Sequence, residues 1–305
     1  MIKSDAPLFG RVVTAMVTPF DDAVKLDLKA AQRLVRHLLS TGTTSILVAG
    51  TTGESPTVEG AEKSELLKCV LDAAGGKAKV IMGTGSNSTA KSIKASQEAE
   101  RLGADGLLVV APYYNKPSQQ GLLRHFGEIA KSTSLPIIVY NIPGRTGINI
   151  SVETTLTLAA QHKNIHALKD STGSVEQAAE IAGRAPENFR IYSGDDYLTL
   201  PFLSIGGCGI ISVASHVVGT QIANMIDLFF AGKLDEARFL HYTYLPLFKG
   251  LFAAPNPVCV KYAMSVLGIC QEHLRLPLVA LEQEQKDALT KLLRQSGVAV
   301  KSTVF

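Results

Sequence analysis

The sequence predicts an α/β fold, a (β/α)8 TIM barrel with a C-terminal helical appendage, and three observations carry this prediction. Eight short, β-branched apolar runs recur along the 305 residues, with helical patterns between them. The runs are continuously apolar, which is typical of parallel strands covered on both faces. Polar residues that could take part in binding or catalysis follow almost every run, as expected at the carboxyl ends of barrel strands.

The predicted strands are 11–17, 45–49, 79–82, 106–110, 136–140, 165–169, 190–193 and 209–213. Their starts lie 19 to 34 residues apart, which suits βαβ units of roughly 30 residues. An open doubly wound sheet is the alternative, but eight parallel strands in one chain favour closure.

Capping residues mark the helices between the strands. Asp27 is placed to cap a first helix that stops near Gly42, and Ser88 is placed to cap a later one. Ser174 and Gln177 have the spacing of a capping box. These signals predict that each strand is followed by a helix that returns the chain to the start of the next strand.

The last part of the chain reads as helices without intervening strands, at 234–252, 257–267 and 282–295. We therefore divide the chain into a catalytic barrel, 1–232, and a C-terminal helical region, 233–305. The helical region is predicted to pack on the barrel rather than to form a second catalytic domain.

Composition excludes several classes of protein. The net charge is +3 and no basic stripe with interleaved aromatic residues occurs, so nucleic acid is not an expected partner. No apolar run reaches the roughly 18 residues of a membrane span, and residues 1–7 carry no long apolar segment, so a cytoplasmic enzyme is expected. The cysteines lack CxxC spacing and are expected to be reduced thiols; they are Cys69, Cys208, Cys259 and Cys270.

Lys169 is the clearest candidate for a catalytic residue. It ends the sixth predicted strand, where an apolar run delivers a single amine. Burial disfavours the ammonium form, and a neutral amine attacks carbonyls to form Schiff bases. A strand-end lysine that merely reaches solvent is the alternative, and the barrel rule disfavours it because active sites lie at this end.

Residues after the other strands fit the same chemistry. The glycine-rich turn 50–55 can hold a carboxylate with backbone N–H groups. Tyr114 and Tyr140 are candidate proton carriers, and Arg145 can bind a second carboxylate. Each signal alone also fits a plain turn, a packed tyrosine or a surface ion pair. Together they describe a lysine imine of a keto acid whose enamine attacks an aldehyde.

No cofactor or metal is predicted. The seven histidines show no ligand spacing, and neither a G-x-S-x-G elbow nor a convincing GxGxxG loop occurs. A pyridoxal-phosphate lysine lacks a recognisable phosphate cup in this sequence.

Four motifs give the chain a family resemblance that covers nearly its whole length. They are Gly-Thr-Thr-Gly-Glu-Ser at 50–55, Tyr-Tyr-Asn-Lys-Pro at 113–117, Tyr-Asn-Ile-Pro-Gly-Arg-Thr at 140–146, and Lys169. The chain resembles the pyruvate-dependent lyases and synthases of the dihydrodipicolinate synthase / N-acetylneuraminate lyase family. Arg145 is typical of the synthase branch, whereas a sialic-acid-type or keto-deoxy-sugar aldolase has less need of a cation there. A barrel that has lost catalysis is the other alternative, and the complete motif set argues against it.

The resemblance implies a reaction. Pyruvate and L-aspartate 4-semialdehyde would condense to 4-hydroxy-tetrahydrodipicolinate, for diaminopimelate and lysine biosynthesis. Lys169 would form the Schiff base with pyruvate. Thr51 and Tyr140 would relay protons together with Tyr114, which the family takes from a neighbouring subunit.

The resemblance also assigns binding residues. Thr52 would bind the pyruvate carboxylate and Arg145 that of the semialdehyde, while Gly194 and Ile211 would line the site through backbone groups. Family members are commonly homotetramers built as dimers of dimers, so a homotetramer is expected.

One departure from the family concerns feedback inhibition. Ser55, Asn87 and Tyr113 match the allosteric lysine site of the family. Lys63 and Lys91 stand where a histidine and a glutamate are typical. Two cations should repel the ammonium groups of free lysine, so weak or absent inhibition by lysine is predicted.

Overall fold

The computed structural model describes residues 6–300, and its eight parallel strands form a closed barrel in chain order. The strands are β1 (Val12–Ala15), β2 (Ser45–Val48), β3 (Lys79–Gly83), β4 (Gly106–Val110), β5 (Ile137–Asn141), β6 (Ile165–Asp170), β7 (Arg190–Ser193) and β8 (Gly209–Ser212). The predicted barrel is therefore confirmed; half of the sixteen strand limits match the prediction, and the others differ by one or two residues.

Helices alternate with the strands and continue beyond them. They are α1 (Leu28–Ser40), α2 (Gly60–Ala74), α3 (Thr89–Arg101), α4 (Gln119–Lys131), α5 (Pro143–Thr146), α6 (Val152–Gln161), α7 (Val175–Arg184), α8 (Thr199–Ser204), α9 (Ser215–Phe230), α10 (Leu234–Gly250), α11 (Val258–Val266) and α12 (Gln283–Gln295). Over residues 6–300, none of these helices is both long enough and apolar enough to cross a membrane.

Pairing of the first strand with the last closes the barrel. Val12 of β1 pairs with Ile210 of β8, and Thr14 pairs with Ser212. Alternate side chains then point inward or outward. The inward set forms one core cluster inside the barrel, and the outward set packs beneath the helices in a second cluster. Burial on both faces explains why the strands read as continuous apolar runs.

Two of the three capping predictions are confirmed. The Asp27 carboxylate accepts from the Ala30 N–H at 2.9 Å, and the Ser88 hydroxyl caps α3. The capping box is only half formed, so that prediction was partly wrong. Ser174 Oγ accepts from the Gln177 N–H at 3.1 Å, but the Gln177 amide donates to the Ile150 carbonyl, also at 3.1 Å. The loop after β5 therefore competes successfully for this side chain.

The C-terminal helices pack on the barrel as the sequence predicts. Helix α10 contacts α9, and α12 contacts both α10 and α11. Pro257 is the N-cap of α11 rather than its first helical residue, and Glu282 caps α12. The proposed domain limits at residues 1 and 305 lie outside the described residues, and the division at residue 232 stays a prediction.

The four cysteines are buried free thiols: Cys69, Cys208, Cys259 and Cys270. Burial raises the pKa of the Cys208 thiol to about 12 and that of Cys270 to about 11. Both side chains therefore behave as small apolar core groups at neutral pH.

Gly209 on β8 is expected to tolerate no side chain, because an added Cβ would lie 2.1 Å from the Arg11 carbonyl oxygen. Gly209→Ala should lower the free energy of unfolding by about 1–3 kcal/mol. Gly183 is a matched control, since it is exposed on α7 and a Cβ there meets nothing within 4 Å. Gly183→Ala should raise stability by up to about 1 kcal/mol. Urea unfolding measures both, and equal stability of the two variants would contradict the packing argument.

Candidate active site

The carboxyl ends of β2 to β5, together with α2 and α3, line a cavity of about 910 Å³, and Lys169, Thr52, Gly194 and Ile211 are not part of this lining. Thr51, Tyr140 and Arg145 line it, which brings together three of the residues predicted from the sequence. They come from the segments after β2 and β5 and from β5 itself. Parallel strands place these separate segments at one rim, where barrel enzymes carry their active sites.

Lys169 points into the barrel, because it follows Ala167 by two residues and Ala167 belongs to the inner core. Its strand neighbours are Tyr140 on β5 and Tyr192 on β7. The amine lies 4.3 Å from the centre of the Tyr140 ring, and Lys169 is only 5% exposed. Among residues 6–300 it forms no ion pair within 4.0 Å.

Gly194 keeps the space beside Lys169 open. A Cβ at this position would lie 3.0 Å from Lys169 Cε and 2.0 Å from Ser171 Oγ. The Gly194 N–H donates to the Asp170 carbonyl at 2.7 Å, which holds the turn after β7 against β6. The side chain of any larger residue at position 194 would therefore clash with Ser171 and crowd the Lys169 side chain.

Three carboxyl groups lie near the lysine, and sequence reasoning gave none of them a role. Burial raises the pKa of Asp195 to about 6; the positive charge of Lys169 opposes this shift, while Asp196 and Asp170 add to it. Burial also raises the pKa of Asp170 and of Asp196. The acidic pair directly after the seventh predicted strand was the signal that could have identified Asp195 and Asp196.

The glycine-rich turn after β2 is held by its neighbours. Thr18 Oγ1 donates to the Gly53 carbonyl at 2.6 Å, and the Glu54 N–H donates to the Thr51 carbonyl at 3.0 Å. Thr52 is buried at 2% exposure, and its hydroxyl accepts a hydrogen bond from the Asn256 amide at 3.0 Å. The turn thus presents Thr51 to the cavity and keeps Thr52 beneath it.

Asn141 shapes the loop that carries Arg145. Its amide nitrogen donates to Asn149 Oδ1 at 2.7 Å, and its Oδ1 accepts from the Ile150 N–H at 3.1 Å. These bonds fold the segment after β5 back on itself around the short helix α5. Arg145 is exposed on this helix and faces the cavity.

Tyr114 and Ile211, which were also predicted as site residues, lie in opposite surroundings: Tyr114 is at the surface and Ile211 is in the core. Tyr114 is 90% exposed and does not line the cavity, so a single chain does not bring it to Tyr140. Its backbone φ of 73° projects it from the loop in an uncommon conformation. Ile211 is fully buried on β8 in the inner core that includes Tyr140.

Four of the five predicted regulatory residues lie along the same cavity. Ser55, Lys63, Lys91 and Tyr113 line its part near α2 and α3. Burial lowers the pKa of Lys63, and the charge of Glu59 partly offsets this. Asn87 is not part of the lining, and its carbonyl accepts from the Asn115 amide. Lys63, Lys91 and Lys94 outnumber Glu59 and Glu98 in this part of the lining, so it carries a small net positive charge.

The closed barrel and the cavity at the carboxyl ends of β2 to β5 have the architecture of a (β/α)8-barrel enzyme, with the candidate active site at this rim. The chain belongs to the dihydrodipicolinate synthetase family, whose model matches residues 8–296.

Individual relatives agree with this assignment. The 4-hydroxy-tetrahydrodipicolinate synthase 1 of Halalkalibacterium halodurans is 51% identical over 280 residues, which is 92% of this chain and 95% of the relative. The lysine-bound crystal structure from Cyanidioschyzon merolae has a TM-score of 0.94 and 46% identity, and the match covers 96% of this chain and all of that one. A monomeric dihydrodipicolinate synthase variant has a TM-score of 0.93 and 41% identity, over 95% of this chain and 97% of that one.

The raised pKa of Asp195 predicts a specific pH dependence of stability. Between its ordinary value of 3.8 and its value of about 6, the folded protein holds the proton more tightly than the unfolded chain. The wild type should therefore lose stability relative to Asp195→Asn as pH rises through this window, by on the order of 1–3 kcal/mol in total. Urea unfolding at a series of pH values measures the difference. Glu65→Gln, at an exposed carboxylate, is the control, and a pH-independent difference for Asp195→Asn would contradict the prediction.

Proposed function

We propose that this enzyme condenses pyruvate with L-aspartate 4-semialdehyde through a lysine Schiff base, giving 4-hydroxy-tetrahydrodipicolinate. We further propose that the product feeds diaminopimelate and lysine biosynthesis in the cytoplasm. The observation that carries the mechanism is the buried Lys169 amine beside Tyr140 at the barrel rim. Family membership and the named synthase relatives support the choice of substrates.

The chemistry follows from the inward amine. Lys169 adds to the keto carbon of pyruvate, and the carbinolamine loses water to form an imine. Loss of a methyl proton gives an enamine, whose carbon attacks the aldehyde of the second substrate. The amino group of that substrate then adds to the imine carbon and displaces Lys169, which closes the ring. Tyr140 and Thr51 carry protons for these steps.

Two groups hold the carboxylates of the substrates. The backbone N–H groups of Thr51 and Thr52 bind the pyruvate carboxylate, since those of Gly53 and Glu54 donate within the turn. Arg145 binds the carboxylate of the semialdehyde, because its guanidinium faces the cavity and forms no ion pair within the described chain. Gly194 and Ile211 complete the wall around the amine.

A second subunit would complete the relay. Tyr114 is 90% exposed in the single chain, and contact with a neighbouring subunit would give this side chain a partner. We propose a homotetramer built as a dimer of dimers, in which Tyr114 reaches across to the site of the adjacent subunit. One structural relative is described as a monomeric variant, so subunit contact is not universal in the family.

Borohydride reduction in the presence of pyruvate tests the imine directly. We expect a pyruvyl adduct on the peptide that contains Lys169, because reduction traps the imine as a stable amine. Lys169→Met should abolish both the adduct and turnover. Mass mapping after digestion measures the first, and a coupled assay with the semialdehyde measures the second.

Lys94→Met is the matched control, since Lys94 lines the same cavity but lies on α3. This variant should keep the adduct on Lys169. An adduct on another lysine, or none in a folded wild type, would refute the Schiff-base mechanism.

We also propose that free lysine inhibits this enzyme weakly or not at all. Lys63 and Lys91 line the part of the cavity that would receive it, together with Ser55 and Tyr113. Their charges oppose the entry of a ligand with two ammonium groups. Lys63 is half-buried, so water screens its charge less than that of an exposed lysine.

Removing this positive charge should create sensitivity to lysine. We expect the wild type to keep most of its activity in millimolar lysine, and Lys91→Glu to be inhibited more strongly because a carboxylate can accept the ammonium. Initial rates across a lysine series measure both. Lys94→Glu makes the same charge change three residues from Lys91, on the same helix, and should increase inhibition by lysine less than Lys91→Glu does. Strong inhibition of the wild type would contradict the proposal.

A further inference from the structure

A buried ion pair connects the C-terminal helical region to the turn after β2. Lys261 Nζ on α11 lies 2.5 Å from Glu54 Oε1, and the two side chains are 0% and 1% exposed. The amine also donates to the His273 carbonyl at 2.6 Å and lies 4.0 Å from the centre of the Phe20 ring. The second oxygen of Glu54 accepts from the Arg275 N–H at 3.1 Å.

Stability alone does not account for this pair. Removing two charges from water is costly, and apolar residues of similar size often stabilise a protein as well or better. The pair does, however, specify one geometry, since each ion has several donors or acceptors that must be satisfied together. The question is what this geometry holds in place.

Glu54 ends the turn that carries the substrate-binding threonines. Its backbone has a φ of 53°, and its N–H donates to the Thr51 carbonyl. Thr51 lines the cavity. A shift of the Glu54 side chain would therefore move the backbone of the 50–54 turn at the rim.

Asn256 makes a second contact from the same region. It is 8% exposed, and its amide nitrogen donates to Thr52 Oγ1 at 3.0 Å. Because the Thr52 oxygen accepts this bond, the hydroxyl hydrogen remains available to donate elsewhere. The contact thus sets the direction in which Thr52 can donate.

We propose that Asn256 and Lys261 are positioning residues for the pyruvate site. The C-terminal region holds the 50–54 turn through two buried contacts, one to Thr52 and one to Glu54. These contacts keep the N–H groups and hydroxyls of the turn in the arrangement that receives the pyruvate carboxylate. The inference rests on the proposed function for its substrate and on the contacts alone for its geometry.

Two variants and one control test the proposal. Asn256→Ser removes the amide donor while keeping a polar side chain at this position. The double variant Glu54→Gln with Lys261→Met removes both buried charges together, so neither ion remains unpaired. Lys286→Met removes a different ion pair of the C-terminal region, in which Lys286 Nζ lies 2.6 Å from Glu272 Oε1. Circular dichroism confirms that each variant is folded.

The first measurement is hydrogen–deuterium exchange, which needs no substrate. The amides of residues 50–55 should exchange faster than in the wild type in both test variants. Their exchange rates in Lys286→Met should equal those of the wild type. Unchanged exchange of this segment in both test variants would overturn the proposal, whatever the enzyme's substrate.

The second measurement compares the KM for pyruvate with the KM for the semialdehyde in each variant. We expect the KM for pyruvate to rise about tenfold in the test variants, as for the loss of one hydrogen bond to a charged group. The KM for the semialdehyde should change much less, because Arg145 is held by a different loop. An equal rise in both KM values, as expected of a general loss of structure, would overturn the proposal. A wild type without pyruvate turnover would instead refute the proposed function and leave the exchange result to decide this one.

Discussion

Pairing between β1 and β8 is the constraint on which the rest of the molecule depends. It closes the sheet, so every strand has two neighbours and all carboxyl ends meet at one rim. The cavity exists because segments distant in sequence converge there. Inside the barrel, apolar side chains fill the space below the rim and leave Lys169 as the only lysine in the inner part of the described barrel strands.

The electrostatics of the rim follow from that burial. Lys169 has no direct ion pair in the described chain, yet Asp195 lies close enough for its pKa to respond to the lysine charge. Asp170 and Asp196 are buried and Asp195 is half-buried, and none of the three forms an ion pair with the amine within 4.0 Å. A lysine held in this way remains free to react, whereas one locked in a short ion pair would not.

Local patterns predicted much of this structure, and contacts distant in sequence account for the rest. The strands at 106–110 and 190–193 match the prediction in full, because continuous apolar runs and barrel spacing are properties of the chain itself. The same reasoning placed Lys169 near the end of the sixth strand, and the structure has it there, while its catalytic role stays a prediction. Gln177 was misassigned because a carbonyl from another loop attracts its amide. The roles of Asn256 and Lys261 were missed because their contacts lie 204 and 207 residues away, although a single lysine in the apolar α11 run was a usable signal.

The same long separations set an order of events during synthesis. The 50–54 turn leaves the ribosome when more than two hundred residues, including Asn256 and Lys261, are still to be made. The eight strands can already pair before Asn256 and Lys261 are made, since β8 ends at Ser212. A nascent chain can therefore close its barrel before the rim takes its final form. The contacts of Asn256 and Lys261 with the turn form only after these residues have been made and the C-terminal helices have docked.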